Sequence, residues 1–446
     1  MLIRIVSAPC VSAYLNLDHH FVELGEVAAH LRDRAGHEVR VVDGVLPEVT
    51  WDTVVEEALH ATGLVVLHVT LDNTLETART IRLLRQLSPG TRIALYGRGA
   101  YHLRRLFQRT DADWIVLEQD WEPALAEIAA QVAAGAEPGP VPGTLTRTAG
   151  TWTRGPAGVR LAGDWELPAL DLLPVAGYAR LPADESYPGR EPERELAVGL
   201  SRGCDSYCGY CPIPDVMGRH EYFRTGLDTL AGYLRAARES HGYTAVSLFG
   251  ANFTAHRDYV HDFCARVGTP RTGVTWKCVT SHAELDPPLL GEMAAAGCTR
   301  VAVGVESLLP DGRNRFSGRV GAERLADLGA WCAAEGILLI CFVMVGLPGQ
   351  TRHEVAVTLD TVRAAGAVPR PMTYVDYRRL AAAEDFADVF WANRKTVSEP
   401  FGRGILSMRD TALAVHSWER WLDTVGPADG RPSDERPSAA PRRPAL

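Results

Sequence analysis

Two runs of short apolar segments alternating with amphipathic helical patterns, parted by a Pro/Gly-rich stretch, limit what this chain can fold into. In the first run, residues 2–6, 38–42, 63–70, 92–96 and 114–117 read as buried strands, and 21–35 and 75–86 carry helical periodicity. In the second, residues 196–200, 245–249, 275–280, 300–304, 338–345 and 372–377 are strand-like. Helical patterns lie between them at 227–239, 287–296, 322–335 and 352–365. Such alternation predicts parallel sheets covered by helices. The expected fold class is α/β, with a doubly wound parallel sheet over 1–133 and a connector over 134–195. A partial (β/α)6 barrel over 196–380 follows, then a short helical C-terminus over 381–425 and a disordered Pro/Arg/Ser-rich tail over 426–446. In both kinds of sheet, ligands gather beyond the carboxyl ends of the strands.

The loop after the first strand of the second run carries Cys204, Cys208 and Cys211 in a CxxxCxxC spacing. These are three of nine cysteines, placed within eight residues, and no fourth lies nearby. Three thiolates on a cluster that takes four leave one iron open, which suits chemistry more than bracing. A structural zinc site is the competing reading and needs four ligands. The nearest fourth ligand is His220, nine residues past Cys211. The odd cysteine count and the absence of an export pattern predict reduced thiols and a cytoplasmic protein. The longest apolar run, residues 337–345, is too short to cross a bilayer, so no membrane association is expected. A net charge of −9 argues against a nucleic-acid partner. Only Lys277 and Lys395 are lysines among 46 basic residues, which makes Lys277 a candidate for a functional ammonium.

The cysteine loop and the later strand endings resemble the radical S-adenosylmethionine (SAM) superfamily over about residues 195–380. The resemblance implies a 4Fe-4S cluster held by Cys204, Cys208 and Cys211, with SAM on the open iron. Reductive cleavage of SAM then yields a 5′-deoxyadenosyl radical that removes hydrogen from substrate. Tyr210 matches the aromatic residue that packs on adenine. Gly250 and Asn252, in Phe249-Gly250-Ala251-Asn252, stand where a Gly-Gly-Glu-like turn receives the SAM amino group, although the glutamate is missing. Ser281 and Lys277 are assigned to the end of the third strand, near the SAM carboxylate or the substrate. Glu306 matches the residue that accepts ribose hydroxyls, and Val345 and Gly346 match the backbone that lines adenine.

The first run resembles the cobalamin-binding domains that precede many such enzymes, with Gly36–Asp43 as the second-strand entry and residues 167–178 as the interdomain linker. Most relatives with both domains are methyltransferases. Here no Asp-x-His-x-x-Gly motif occurs, and Arg98 and Trp121 stand where close backbone approach is wanted. The expectation is a degenerate cobalamin domain kept for packing or dimerisation, so cobalamin is not favoured and a homodimer is among the assemblies allowed. The favoured reaction is dehydration or deoxygenation of a sugar-like intermediate, like the diol dehydratase of apramycin-type aminoglycoside pathways. The alternative is a cobalamin-dependent C-methyltransferase of specialised metabolism. The expected partners are a small polar substrate and an external electron donor: flavodoxin, ferredoxin or a chemical reductant. Acid–base candidates are His220, Glu221 and Tyr222 after the cysteine loop, His282 and Glu284 after the third strand, and Tyr374, Asp376, Tyr377 and Arg378 on the last strand. Tyr374 and Asp376 are expected to share a strand face.

Overall fold

The computed structural model describes residues 1–9, 22–46, 48–60, 63–71, 73–118, 120–178, 194–204, 208, 210–211, 222–308, 320–345, 347, 350, 352–386 and 388–389. The first sheet has seven strands in the order β2-β1-β3-β4-β5-β6-β7. Five are parallel: β1 (Leu2–Ser7), β2 (Glu38–Asp43), β3 (Leu64–His68), β4 (Arg92–Tyr96) and β5 (Trp114–Val116). The runs of β1, β3, β4 and β5 are near-continuously apolar and buried on both faces, as parallel strands require, while the edge strand β2 exposes Glu38 and Arg40. The sequence expectation holds strand for strand here, as it does for the helices Val22–Asp33 and Thr74–Leu87. The connector differs from expectation. Its first part forms β6 (Thr144–Thr148) and β7 (Thr151–Arg154), a hairpin that extends the sheet antiparallel to β5. The Pro/Gly richness around it belongs to turns, with Gly143 and Gly150 both at positive φ.

The second sheet is six parallel strands in the order β15-β14-β13-β12-β11-β8. They are β8 (Glu195–Gly199), β11 (Ala245–Phe249), β12 (Thr275–Thr280), β13 (Cys298–Glu306), β14 (Leu338–Val345) and β15 (Val368–Thr373). A small hairpin, β9 (Ser201–Gly203) and β10 (Tyr222–Arg224), carries the cysteine loop directly after β8. The last strand lies four residues earlier than the sequence suggests. Pro369 and Pro371 disguise it, and both are tolerated because β15 is an edge strand. Tyr374 and Asp376 therefore fall beyond the strand and share no strand face. Asp376 caps the helix Tyr377–Ala381, accepting from the backbone N–H groups of Arg378 and Arg379.

One apolar core runs through both units, from Ile3 and Leu24 to Val303 and Val343. The rest of the connector packs into it. Leu170, Leu173 and Tyr178 are buried, the Tyr178 hydroxyl donates to Asp43 at 2.7 Å, and the Tyr233 hydroxyl donates to the Pro168 carbonyl at 2.8 Å. Gly25 on the helix Val22–Asp33 has no room for a Cβ against Pro168, so the connector lies directly on that helix. Past β15 the chain returns to the first unit, where Leu380 and Val389 join the second apolar cluster and Phe386 stacks near Phe107. Residues beyond 389, including the tail over 426–446, lie outside the described residues. Among the described residues no helix is long and apolar enough to cross a membrane.

Candidate active site at the facing carboxyl edges

Parallel strands point all their carboxyl ends to one edge, and that edge of the second sheet collects most of the predicted residues. Cys204 follows β9 and is 9% exposed, while Cys208, Tyr210 and Cys211 are half-buried. The Cys211 N–H donates to the Cys208 carbonyl at 3.0 Å, closing the loop into a tight turn. Burial pushes the thiols of Cys264, Cys332 and Cys341 up to about 12, so they stay protonated and are poor ligands. Three thiols within eight residues fit a thiolate-held iron–sulfur cluster. His220, which the zinc reading required, and Glu221 lie outside the described residues. Tyr222 opens β10, and its backbone pairs with Gly203.

Glu306 ends β13 in an unusual conformation, with φ at 61°, where the register against β14 slips by one residue. Such a bulge re-aims the side chain beyond it. Gly304 supplies the space, because a Cβ there would overlap Glu306 Oε1. The carboxylate so placed accepts a 2.6 Å hydrogen bond from the Tyr210 hydroxyl. The two residues assigned to opposite ends of SAM's adenosine thus meet across the edge. Val345 ends β14 and is buried, and Gly346 lies outside the described residues.

At the end of β11, Gly250 lies so close to Ser201 that any Cβ would strike its hydroxyl, which draws this turn against the start of the cysteine hairpin. Asn252 acts as a brace more than as a free ligand. Its Oδ1 accepts from the Thr280 hydroxyl at 2.8 Å and from the Ser281 N–H at 3.0 Å, tying the ends of β11 and β12 together. Ser281 itself accepts from the Ala283 N–H. His282 and Glu284 are half-buried beside it, with backbone carbonyls that accept from Arg324 and Arg257 respectively. Tyr374 donates its N–H to the Val345 carbonyl at 2.8 Å, and burial raises its phenol above the usual range, so it stays protonated.

Lys277 is placed otherwise. It is the third residue of β12, at the amino end of the sheet, where it pairs with Glu195, which also pairs with Arg300. The compact ammonium belongs to a buried ion cluster with Glu195 and lies short of the strand end where the sequence placed it. Tyr377 and Arg378 face the first unit: the Tyr377 ring lies 4.4 Å from His102, and Arg378 lines a cavity of about 280 Å³ with His102, Arg104 and Arg105.

The carboxyl edge of the first sheet faces this site. Glu26 lies in the helix that follows β1, and Asp120 and Glu122 begin the helix Trp121–Ala133 that follows β5. All three carboxylates bind Arg202, two residues before Cys204, at 2.6–2.8 Å. Sequence reasoning missed this cluster, because its members lie 80 to 176 residues from Arg202 and no local pattern joins them. At the same edge, burial pushes the His68 imidazole down to about 4, which leaves it neutral. Trp121 does not intrude on the edge: it is 2% exposed and packs edge-on against Tyr96 at 5.5 Å. Arg98 is exposed.

A corrinoid can be tested against this edge. Thr70, Leu71, Arg98 and Tyr101 are at least partly exposed and offer a surface for a flat ligand. The turn between β4 and its helix is closed. Gly97, at φ 103°, has its Cβ position 2.6 Å from the Val69 carbonyl, and a Cβ on Gly99 would overlap the Thr70 carbonyl. Among the described residues, this turn is drawn onto the Val69 and Thr70 backbone, and Thr70, Leu71, Arg98 and Tyr101 are what a corrinoid lying on the edge would meet.

Residues 198–362 match the family model described as the Radical SAM superfamily. A tRNA-2-methylthio-N(6)-dimethylallyladenosine synthase of Frankia alni is 28% identical over 301 residues, covering 56% of each chain. A protein of the same name from Desulfosudis oleivorans is 27% identical over 177 residues, covering 37% of each. The chain thus spans about half, or less, of the length of the curated relatives it matches. Among solved structures, the radical SAM methyltransferase TsrM of Kitasatospora setae superposes with a TM-score of 0.63 at 17% identity, over 84% of this chain and 73% of that one. The cobalamin-dependent SAM radical enzyme OxsB superposes with a TM-score of 0.65 at 15% identity, over 89% and 56%. At these identities the likeness is one of fold, and it spans both units.

Proposed function

We propose that this radical SAM enzyme transfers a methyl group to a small polar metabolite with a corrinoid held between its two units. The observation that carries the proposal is the meeting of the two carboxyl edges, with Arg202, two residues before Cys204, anchored in the first sheet's edge. An enzyme using SAM at a cluster alone has no need of a second ligand-binding edge opposite it. The two-unit solved relatives named above, one a methyltransferase and one cobalamin-dependent, support the same choice over dehydration.

When bound, the cluster and SAM supply a one-electron reductant and a carbon-centred radical, and a corrinoid supplies a methyl carrier. The chain's own residues do the rest. Cys204, Cys208 and Cys211 would hold the irons as thiolates. Glu306 keeps acceptor capacity for vicinal hydroxyls beyond its bond from Tyr210, since a carboxylate offers about four lone-pair positions. Tyr210 and the Val345 backbone flank the adenine position. Thr70, Leu71 and Arg98 would touch the corrinoid. Tyr374 holds its proton at Oη and can donate it in a hydrogen bond to substrate. The tRNA substrate of the curated relatives is not carried over, because a net charge of −9 opposes a polyanion.

A second reading, hydrogen abstraction and dehydration without a corrinoid, is favoured by the closed turn at Gly97 and Gly99. One experiment separates the two. The anaerobically purified, cluster-reconstituted protein is offered hydroxocobalamin, SAM, dithionite and a panel of polar metabolites. Methyl transfer predicts a retained corrinoid spectrum, S-adenosylhomocysteine and a product heavier by one CH2, a methyl group in place of a hydrogen. 5′-Deoxyadenosine alone, a product lighter by water and no retained corrinoid would overturn it in favour of the second reading.

A further inference from the structure

Arg202 directs its guanidinium out of the second sheet and into the first unit. Nη1 donates to Asp120 at 2.8 Å and to Glu122 at 3.1 Å, and Nη2 donates to Glu122 at 2.6 Å and to Glu26 at 2.8 Å. The Trp165 ring covers the guanidinium face at 4.5 Å. None of the four side chains is more than 5% exposed, and burial pushes the Glu26 carboxyl up to about 8. A buried ion cluster is a poor device for stability, since apolar packing of equal volume serves as well or better. What it provides is direction, because a planar fork holds several carboxylates at fixed angles and an ammonium does not.

The fork has something to direct. It sits on β9, a strand of only three residues whose ladder partner is β10, and Cys204 follows two residues later. On the same side, Gly199 at the end of β8 lies against Glu26 with no room for a Cβ. The start of the cysteine loop is therefore held from the first unit at two adjacent points.

We propose that Arg202 is a positioning residue, which fixes the spacing between the cysteine loop and the first unit's carboxyl edge so that SAM cleavage stays coupled to conversion of the substrate. The inference rests on the reading that both edges face one reaction space. Loss of the fork leaves the barrel its cysteines and its SAM contacts, while the opposing edge falls out of register with them.

The test uses the full-length, reconstituted protein with Arg202→Lys and, from the other side of the contact, Glu122→Gln. Iron content and the change that SAM makes in the electron paramagnetic resonance signal of the reduced cluster report on the barrel alone. The ratio of product formed to SAM consumed reports on coupling. Both variants are expected to keep iron content and the SAM-induced signal, while the ratio falls at least tenfold in Arg202→Lys and less in Glu122→Gln. An unchanged ratio in both overturns the proposal, and so does a parallel loss of iron and signal in both, which assigns the cluster a folding role only. The ratio counts a methylated or a dehydrated product alike. Failure of the methyl-transfer reading therefore shows in which product the wild type makes, and failure of this inference shows in the ratio.

Discussion

Tyr210 and Glu306 stand 96 residues apart and are joined by a hydrogen bond of 2.6 Å, hydroxyl to carboxylate. The bond ties the cysteine loop to the bulged end of β13 before any ligand arrives. Tyr210→Phe removes one hydrogen bond to a charged acceptor, which contributes about 1.5–3 kcal/mol. SAM affinity should weaken roughly 10- to 100-fold, as read by calorimetry on the reconstituted protein, with iron content unchanged. Unaltered affinity would mean that the bond plays no part in ordering the site.

The cysteines divide by environment. Cys204→Ala, Cys208→Ala or Cys211→Ala should each lose the brown absorbance and most of the iron after reconstitution. Cys332→Ala, whose thiol burial keeps protonated, should retain both. Iron measurement by colorimetry decides it, and cluster loss in Cys332→Ala would contradict the assignment.

Asp43 is buried, and burial raises its carboxyl to about 6 despite the hydrogen bond from Tyr178. Its folded value exceeds the ordinary 3.8, so folding takes up a proton. The contribution is full below about 4 and is lost as pH rises through 6, a difference of about 3 kcal/mol. Asp43→Asn should remove this decline, so melting temperatures of variant and wild type should diverge between pH 4 and 7. Parallel curves would show that Asp43 does not titrate in that range.

The amino end of the barrel holds Glu195 between Lys277 and Arg300. Glu195→Ala leaves two buried cations facing each other and should destabilise the fold by about 3–5 kcal/mol in denaturant melts. Lys277→Met should leave the rate of SAM cleavage per folded molecule unchanged. A large loss of rate in a normally folded Lys277→Met would restore lysine to the catalytic list.

Gly199→Ala places a methyl group against Glu26 and Val22 at the seam between the units. Overpacking of this kind costs about 1–3 kcal/mol. Thermal melts should show the loss, and no loss would mean that the seam opens without penalty.

Strand periodicity and the cysteine spacing were legible because both are local. Eleven strand-like segments were expected, and the structure has a strand at each, the last displaced where two prolines hide an edge strand. The hairpin β6–β7 was hidden by turn glycines and prolines that resemble a linker in composition. Lys277 was misplaced because its rarity says nothing about which end of a strand it occupies. Asp376 looked like an acid–base group because a helix cap and a catalytic carboxylate have the same side chain. Trp121 looked intrusive because size is visible in sequence and direction is not.

By itself the sequence determined the parallel α/β class, the order of the two units and the three-thiol loop, since each depends on spacing along the chain. Only the tertiary structure decided that the two carboxyl edges face one another, that Arg202 is held by Glu26, Asp120 and Glu122, and that Glu306 turns back to Tyr210. The reason is one of distance. These partners lie 80 to 176 residues apart. Burial makes unpaired charges among them costly, but no local pattern states which opposite charge will arrive.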